Sequence, residues 1–258
     1  MVQTATTSVI KFDQSQRRFF EDPSTVIGVN FHRQKGKDFV AAAKAVNEAC
    51  ATGENWWIVG MNQAQADETF AKVKLFVKAM KALLKRKFGT DEVVEESESF
   101  VDYDKEIDHA FECTSRIMRL PNGARITSLP GKNPDGLAGR TGNMILTEFG
   151  LYPYGGHPHW DVLFPITTRK GFKFIMISTP RGKNTKFYEV MSNTEGLYST
   201  HTCDIYKSVY EEGYQLYDNK RNPFPQRTRH DGTRAFSSVT TASCAATRQR
   251  RERMASRE

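Results

Sequence analysis

Short apolar runs and longer stretches of helical spacing alternate along the chain. Residues 25–31 are β-branched and apolar and residues 37–51 are rich in alanine, so together they predict a strand, a loop and a helix. A second strand is predicted at residues 56–60. Apolar side chains then recur at helical spacing over residues 63–87, which predicts a long helix with one buried face.

The middle of the chain predicts the remaining strands of a layered fold. Residues 91–108 are strongly acidic and are expected to form an exposed loop. Strand-like runs follow at 111–118 and 124–129, and the runs NMILTEF (143–149) and KFIMIST (173–179) are apolar throughout, which is typical of buried parallel strands. Strands that alternate with helices predict an α/β fold of three layers around a mostly parallel central sheet.

Length and composition limit the class of protein. A chain of 258 residues and 29.3 kDa can bury a full core, and its size suits one α/β domain with an appendage. The four cysteines are widely separated and form no CxxC pair, so we expect neither a zinc site nor a disulfide framework. No apolar run approaches the roughly 20 residues of a membrane span, and we expect an intracellular chain without a membrane partner.

Positive charge is concentrated in two places. From residue 216 onward ten basic and four acidic residues account for +6 of the formal net charge of +7. Residues 1–218 are therefore predicted to form the folded domain, and residues 219–258 an irregular basic tail of low order. Four lysines on the predicted long helix, Lys74, Lys78, Lys81 and Lys85, suit either a solvated face or contact with a DNA backbone.

The segment HRQKGKDF, between the first strand and the first long helix, carries the features of a phosphate-binding loop. Triphosphate binding needs backbone N–H groups, a helix N-terminus and a lysine that reaches the β- and γ-phosphates. Gly36 permits the tight loop and Lys37 stands where the lysine of GxxxxGK[ST] stands. That pattern also requires a glycine where this chain has Phe31 and a hydroxyl where it has Asp38, so an ordinary turn from strand to helix remains an alternative. The predicted binding residues are Arg33, Gln34, Lys35, Gly36, Lys37 and Asp38.

Two later strands end in polar residues suited to the same chemistry. Glu148 lies with Thr147 between the apolar residues Met144–Leu146 and Phe149, and a carboxylate at such a strand end can hold Mg²⁺ or activate water. Ser178 and Thr179 end the next apolar strand, and their hydroxyls could sense the γ-phosphate. The alternatives are a surface glutamate and a plain exit from strand to loop.

Four motifs in order, QRRFFEDPS, HRQKGKDF, GLAGRTGNMILTEF and ISTPRGKNTKFYEV, resemble the ATPase domain of the large terminase subunit of tailed bacteriophages. The resemblance covers residues 16–203. It implies a P-loop NTPase sandwich that uses ATP and Mg²⁺ to thread double-stranded DNA into a procapsid. It further implies a homo-oligomeric ring, partnership with a portal and a small terminase subunit, and a location in the host cytoplasm.

The resemblance also implies roles for individual residues. The family's phosphate loop carries an arginine in place of a glycine, which matches Arg33 ahead of the phosphate-stabilising Lys37. Glu148 matches the catalytic glutamate, and Ser178 with Thr179 matches the motif that couples hydrolysis to movement. Gln16 matches the adenine-contacting glutamine, with Gln14 as the weaker candidate, and Arg140 is a candidate arginine finger with a solvated loop arginine as its alternative.

The chain departs from the family pattern at two positions that would face one metal ion. Thr147 stands where the family has the aspartate before its catalytic glutamate, and Asp38 stands where it has the loop hydroxyl. The carboxylate and hydroxyl ligands have thus exchanged positions, so Asp38, Thr147 and Glu148 are predicted to hold Mg²⁺. The alternative for Asp38 is a cap of the helix that begins there.

The length of the chain after residue 219 also departs from the family, whose members continue into a nuclease domain. Roughly 40 residues cannot encode such a domain, so we expect no DNA cleavage by this chain and consider a truncated or altered-frame C-terminus. Two other functions stay open at this stage. One is a different DNA-translocating P-loop ATPase, and the other is a non-hydrolysing DNA-binding or assembly protein with a vestigial loop.

Overall fold

The structure is a computed structural model that describes residues 11–104, 109–168, 171–179, 182–217, 221–223, 226–228 and 234–236. Its strands are β1 Val26–Phe31, β2 Trp56–Gly60, β3 Val94–Asp104, β4 His109–Arg119, β5 Arg125–Pro130, β6 Asn143–Thr147, β7 Phe174–Ser178, β8 Ser199–Cys203, β9 Gln226–Thr228 and β10 Arg234–Phe236. Its α-helices are α1 Gln14–Glu21, α2 Lys37–Thr52, α3 Gln63–Phe88, α4 His157–Thr168, α5 Lys186–Ser192 and α6 Ile205–Tyr210. Short 3-10 turns occupy Asp135–Leu137, Phe149–Leu151 and Pro153–Gly156.

The two long helices begin and end at local signals that their sequences carry. The side chain of Asn62 accepts a hydrogen bond from the backbone N–H of Gln65 and so caps the first turn of α3. Gly89 ends the same helix in the left-handed region, at φ 77°. The predicted bounds of α2 and α3 agree with the observed bounds to within one residue, and β2 coincides with its prediction.

Eight strands form one sheet in the order β3, β4, β5, β2, β6, β7, β1, β8. Five neighbouring strands, β5, β2, β6, β7 and β1, pair in parallel. The pairs β3 with β4 and β4 with β5 are antiparallel. The mostly parallel α/β sheet predicted from the sequence is confirmed, and the carboxyl ends of its parallel strands lie on a common edge.

Side chains from both faces of the central parallel strands are buried, which explains their continuous apolar runs Met144–Leu146 and Phe174–Ile177. On one face Leu146 and Met176 pack with Leu163 of α4 and Val190 of α5 in a single core cluster. The intervening residues, such as Ile145, point to the opposite face and are equally buried. There α2 and α3 pack on the sheet, which completes the three layers.

The prediction of an exposed loop over residues 91–108 was wrong. Residues 94–104 form β3, and they pair in register with all of β4, from Val94 opposite Arg119 to Asp104 opposite His109. Residues 105–108 lie outside the described part of the chain. Acidic residues are compatible with a strand here because β3 is an edge strand of the sheet, and charge on an edge strand discourages pairing with another chain.

The chain divides into two compact units, Met1–Thr202 and Cys203–Glu258. The second unit contains α6 and a two-stranded antiparallel hairpin of β9 and β10. Most of residues 219–258, for which we predict a low-order tail, lies outside the described residues, so that division of the chain stays a prediction. Among the described residues, no helix is long and apolar enough to cross a membrane.

A buried carboxylate ties the segment before β1 to neighbouring elements. Oδ2 of Asp22 contacts the hydroxyl of Ser199 and lies 2.7 Å from Nε2 of His201, while its Oδ1 accepts from the backbone N–H of Ser24 at 2.8 Å. Nζ of Lys44, from α2, donates to the backbone carbonyl of Asp22 at 2.6 Å. Burial by itself would raise the pKa of Asp22, but these hydrogen bonds outweigh it and hold the pKa well below its usual value.

We expect Asp22→Asn to lower the free energy of unfolding by about 2 kcal/mol at pH 7, because it removes charge-assisted hydrogen bonds from a buried group. The folded-state pKa of Asp22 is lowered, so its contribution is complete above the unfolded value of about 3.9 and is lost as the pH falls below it. Urea denaturation of both proteins at several pH values measures the difference. It should be constant from neutral pH down to about pH 5 and shrink below about pH 4.

The matched control is Glu21→Gln, which changes an exposed acid next to Asp22 and should alter the free energy of unfolding by no more than about 0.5 kcal/mol. A loss of equal size in both variants, or a difference for Asp22→Asn that does not depend on pH, would contradict the assigned role of the Asp22 charge.

Candidate functional site

The loop between β1 and α2 has the backbone of an anion-binding turn. Gly36 precedes α2 in the left-handed region at φ 74°, and Gln34 also has a positive φ of 64°. Gly36 is the N-cap residue of α2 and has no side chain that could cap its first turn. The first backbone N–H groups of a helix have no intrahelical acceptor, so they and the positive end of the helix dipole remain available to an anion.

Hydrogen bonds and an ion pair connect this loop to the start of α1, and we call these contacts among Asp13, Gln16 and Lys35 the brace. The amide Nε2 of Gln16 donates to the carbonyl of Lys35 at 2.8 Å, while its Oε1 accepts from the N–H of Asp13 at 3.1 Å. Asp13 in turn forms a buried ion pair with Nζ of Lys35 at 2.7 Å. The predicted residues Gln16 and Lys35 therefore meet at the loop, with their side chains directed to the brace, whereas Gln14 is exposed.

Lys37 occupies the centre of the site. Its side chain is only 8 % exposed, and its Nζ lies 2.8 Å from Oε1 of Glu148 and 3.9 Å from Oδ2 of Asp38. The structure therefore brings together a lysine from the phosphate loop and the carboxylate predicted at the end of β6. This is the arrangement expected if β1 and β6 end at the same edge of a parallel sheet.

The end of β6 is shaped to present two oxygen ligands. Glu148 has a left-handed backbone at φ 50°, uncommon for a residue with a side chain, and this turns the chain sharply after the strand. Thr147 is 2 % exposed, and its Oγ1 has no hydrogen-bond partner among the described residues. A buried hydroxyl without a partner is costly, so Thr147 is suited to a ligand that arrives in the cleft.

These residues line one cleft of about 640 Å³. Six of the predicted binding residues lie along it: Arg33, Gln34, Gly36, Lys37, Asp38 and Thr179. Thr147, Glu148 and Leu151 also line the cleft. Gln16, Lys35 and Ser178 are not among the lining residues, so any contribution they make to binding is indirect in this conformation.

Ser178 connects the end of β7 to the turn that follows Glu148. Its Oγ accepts from the backbone N–H of Gly150 at 3.0 Å and donates to the carbonyl of Thr179 at the same distance. A Cβ atom at Gly150 would lie 2.9 Å from that Oγ, so the glycine permits this close approach. Ser178 is thus a fully buried link between two loops of the cleft.

One wall of the cleft was missed by the sequence analysis. Four residues of α3, Gln65, Glu68, Thr69 and Lys72, line the cleft together with the phosphate loop. They follow helical spacing on a single side of the first half of α3. The signal was present in the sequence, as polar side chains on a helix that directly follows a buried strand, but polar helical residues usually face water.

Other candidates lie away from the cleft. The guanidinium of Arg140 sits over the ring of Trp57, 5.2 Å from its centre, and does not line the cleft. On α3, Lys74 pairs with Glu95, whereas Lys78, Lys81 and Lys85 are exposed. Contact between this stripe and DNA stays a prediction.

Within the described residues, no group of three or more His, Cys, Asp or Glu side chains is placed to hold a metal ion. Around Lys37 the cleft offers instead the carboxylates of Asp38 and Glu148, together with the hydroxyl of Thr147, which has no partner among the described residues. This is a small set of hard oxygen donors, which fits Mg²⁺ because that ion is usually held by one or two protein carboxylates together with phosphates and water. The residues present therefore fit Mg²⁺ brought with a nucleotide.

Comparison with known proteins gives a consistent match. The sequence model of one family, described as Terminase large subunit, T4likevirus-type, N-terminal, matches residues 30–222. No curated protein sequence matches the chain. The large terminase ATPase domain of Thermus phage P74-26 has 20 % sequence identity to this chain and a TM-score of 0.53. The match covers 75 % of this chain and 80 % of that domain.

Two further solved structures are similar. A mutant of the same P74-26 domain is 21 % identical with a TM-score of 0.56, and 75 % of this chain covers 81 % of it. The large terminase of a thermophilic bacteriophage is 15 % identical with a TM-score of 0.50; 76 % of this chain covers 46 % of that protein, so this chain spans about half its length. These likenesses show a shared fold.

The resemblance inferred from the four sequence motifs is thereby confirmed. Because the family match includes most of the chain, from the last residues of β1 to beyond α6, the chain belongs to the terminase large subunit family of the T4likevirus type and corresponds to its N-terminal region.

Proposed function

We propose that this chain is the ATP-hydrolysing motor domain of a viral DNA-packaging enzyme, which drives double-stranded DNA into a procapsid in the host cytoplasm. The observation that carries the proposal is the convergence of Lys37, Asp38, Thr147 and Glu148 on one cleft. Membership in the large terminase family supports it. Assembly into a homo-oligomeric ring, with a portal and a small terminase subunit as partners, is part of the same proposal.

Lys37 and the phosphate loop supply the electrostatic part of the reaction. The free N–H groups of α2 and the Lys37 ammonium face the cleft, so they would bind the phosphates and stabilise charge that develops during transfer. Arg33 is exposed on the loop and can add positive charge at the same place. Buried in this way, the Lys37 charge acts more strongly than it would in water.

Glu148 is placed to act on water once the phosphates have arrived. In the structure its carboxylate forms an ion pair with Lys37. Phosphate oxygens would compete for the same ammonium, and the carboxylate would then be released to orient a water molecule and accept its proton. The left-handed turn at Glu148 holds its side chain at the cleft in both situations.

The residues that would hold Mg²⁺ are Asp38 and Thr147, with Glu148 beside them. When bound, the ion neutralises charge on the β- and γ-phosphates. Asp38 lies in the first turn of α2 and its Oδ1 is 3.5 Å from the hydroxyl of Thr69, while Thr147 presents its unpartnered hydroxyl from the end of β6. This geometry supports the exchange of carboxylate and hydroxyl between the two positions.

The alternative of a non-hydrolysing, vestigial loop rests on the same two departures from the family pattern. A different DNA-translocating ATPase is disfavoured by the family match. The ATPase activity of the purified chain, measured with and without double-stranded DNA, distinguishes a working motor domain from a vestigial one.

We expect Lys37→Ala to abolish ATP turnover and Glu148→Gln to retain ATP binding while hydrolysis falls by at least about 10²-fold. The first change removes the buried cation that faces the phosphates, and the second keeps the shape of the side chain but removes the base. Binding is measured by calorimetry and turnover by phosphate release, with circular dichroism to confirm folding.

Lys81→Ala serves as the control, because Lys81 is exposed on α3 and does not line the cleft. Normal turnover in folded Lys37→Ala would rule out the phosphate-loop assignment. Loss of binding in Glu148→Gln would mean that Glu148 has a structural role.

We expect Asp38→Thr and Thr147→Asp each to weaken Mg²⁺-dependent hydrolysis, and the double variant to recover part of it. Two ligands of one ion should show a coupling energy of about 1 kcal/mol or more. Hydrolysis is measured across a Mg²⁺ titration, and Mn²⁺ binding provides a second measurement. Losses that simply add would show that the two residues do not share an ion.

We expect Gln16→Ala to weaken ATP and GTP binding to the same extent, by about fivefold, which corresponds to the loss of about one net hydrogen bond. The reason is that both ends of the Gln16 amide are engaged in the brace behind the loop. The ratio of the two dissociation constants is the informative quantity. A selective loss of ATP binding would instead support the adenine contact that the family resemblance implies.

A further inference from the structure

We propose that Lys72 is a further phosphate-binding cation, which contacts the γ-phosphate from the wall of the cleft that α3 forms. This inference rests on the proposed ATPase function. Lys72 lines the cleft, and its side chain is 24 % exposed. Of the lysines that α3 carries, all of which lie in the described part of the chain, it is the one that lines the cleft.

The order of the sheet places this wall beside Glu148. Strand β2 is the neighbour of β6 on the side away from β7 and β1. Helix α3 follows β2 and packs against β2, β5 and β6. A nucleotide held by Lys37 at the end of β1 would therefore have its reacting phosphate between Lys37 and the α3 wall, at the place where Glu148 acts on water.

A contact between Thr69 and Asp38 sets the position of α3 relative to the start of α2. Thr69 is 1 % exposed, and its Oγ1 lies 3.5 Å from Oδ1 of Asp38 in the first turn of α2. Lys72 follows Thr69 by three residues on the same side of the helix. Side chains on a helix lean towards its N-terminus, so the ammonium of Lys72 is carried back towards Thr69 and the start of α2.

The present partner of Lys72 is a weak one. Its Nζ lies 3.6 Å from Oε1 of Glu68, whose side chain is 78 % exposed. Exposed pairs of this kind contribute little, so a phosphate oxygen can replace the carboxylate at small cost. Glu68 thus holds the ammonium at the cleft, and an exchange of partners would deliver it to the phosphate.

The charges in the cleft favour such an exchange. Lys37 is already shared between Glu148 and Asp38, and it cannot neutralise a triphosphate alone. A cation on the α3 wall of the cleft would stabilise the charge that develops on the γ-phosphoryl oxygens, which is where positive groups accelerate phosphoryl transfer most.

The test compares Lys72→Met with Lys78→Met, a matched change of an exposed lysine on the same helix. Lys72→Met removes the ammonium and keeps the apolar stem. We expect it to weaken binding of ATPγS by about tenfold, to leave ADP binding unchanged, and to lower ATP turnover by about 10²-fold. Lys78→Met should change none of these quantities.

Glu68→Gln tests the exchange of partners. It should tighten ATPγS binding by about threefold, in line with the small worth of an exposed pair, and this gain should vanish in the Lys72→Met background. A gain that persists there would show that Glu68 acts through its charge alone and would overturn the exchange.

The two proposals fail in different ways. If Lys72→Met weakens the binding of ADP and of ATPγS equally, or weakens the binding of neither, Lys72 does not contact the γ-phosphate. The ATPase assignment still holds in that case, provided that Lys37→Ala is inactive. If the unchanged chain binds neither nucleotide, or Lys37→Ala turns over ATP normally, the ATPase proposal fails and the role of Lys72 fails with it.

Discussion

The site depends on one electrostatic contact, between the buried ammonium of Lys37 and the carboxylate of Glu148. The strands that precede these residues, β1 and β6, are separated by β7, so their carboxyl ends lie about 10 Å apart. A long lysine from the start of α2 and a glutamate turned inward by a left-handed backbone can bridge that distance. The brace at Gln16 and the link at Ser178 each hold one side of the contact in place.

The contact also bears on the proposed reaction. A lysine and a glutamate that neutralise each other avoid the cost of burying one uncompensated charge. In the proposed mechanism a phosphate would replace the glutamate as the partner of Lys37 and so release the group that acts on water. Binding and activation would then be coupled by competition for a single cation.

The sheet explains why α3 contributes to the cleft although it follows neither the phosphate loop nor Glu148. Its strand, β2, lies next to β6, and the helix returns along the face on which α2 also packs. The antiparallel strands β3 and β4 extend the sheet on the far side of β5. They leave unchanged the edge at which the parallel strands have their carboxyl ends. The acidic residues of β3 are compatible with a strand because β3 lies at an edge of the sheet.

The sequence by itself determined the parallel strands, both long helices, the phosphate loop and the positions of Lys37 and Glu148. These features depend on local signals, namely continuous apolar runs, helical spacing, Gly36 and polar residues at strand ends. Tertiary structure decided the rest. The pairing of residues 94–104 with β4 cannot be inferred from acidic composition, because charge at an edge strand and charge in a loop give the same pattern. The wall formed by Thr69 and Lys72 depends on where β2 lies in the sheet, a long-range choice that no local pattern records.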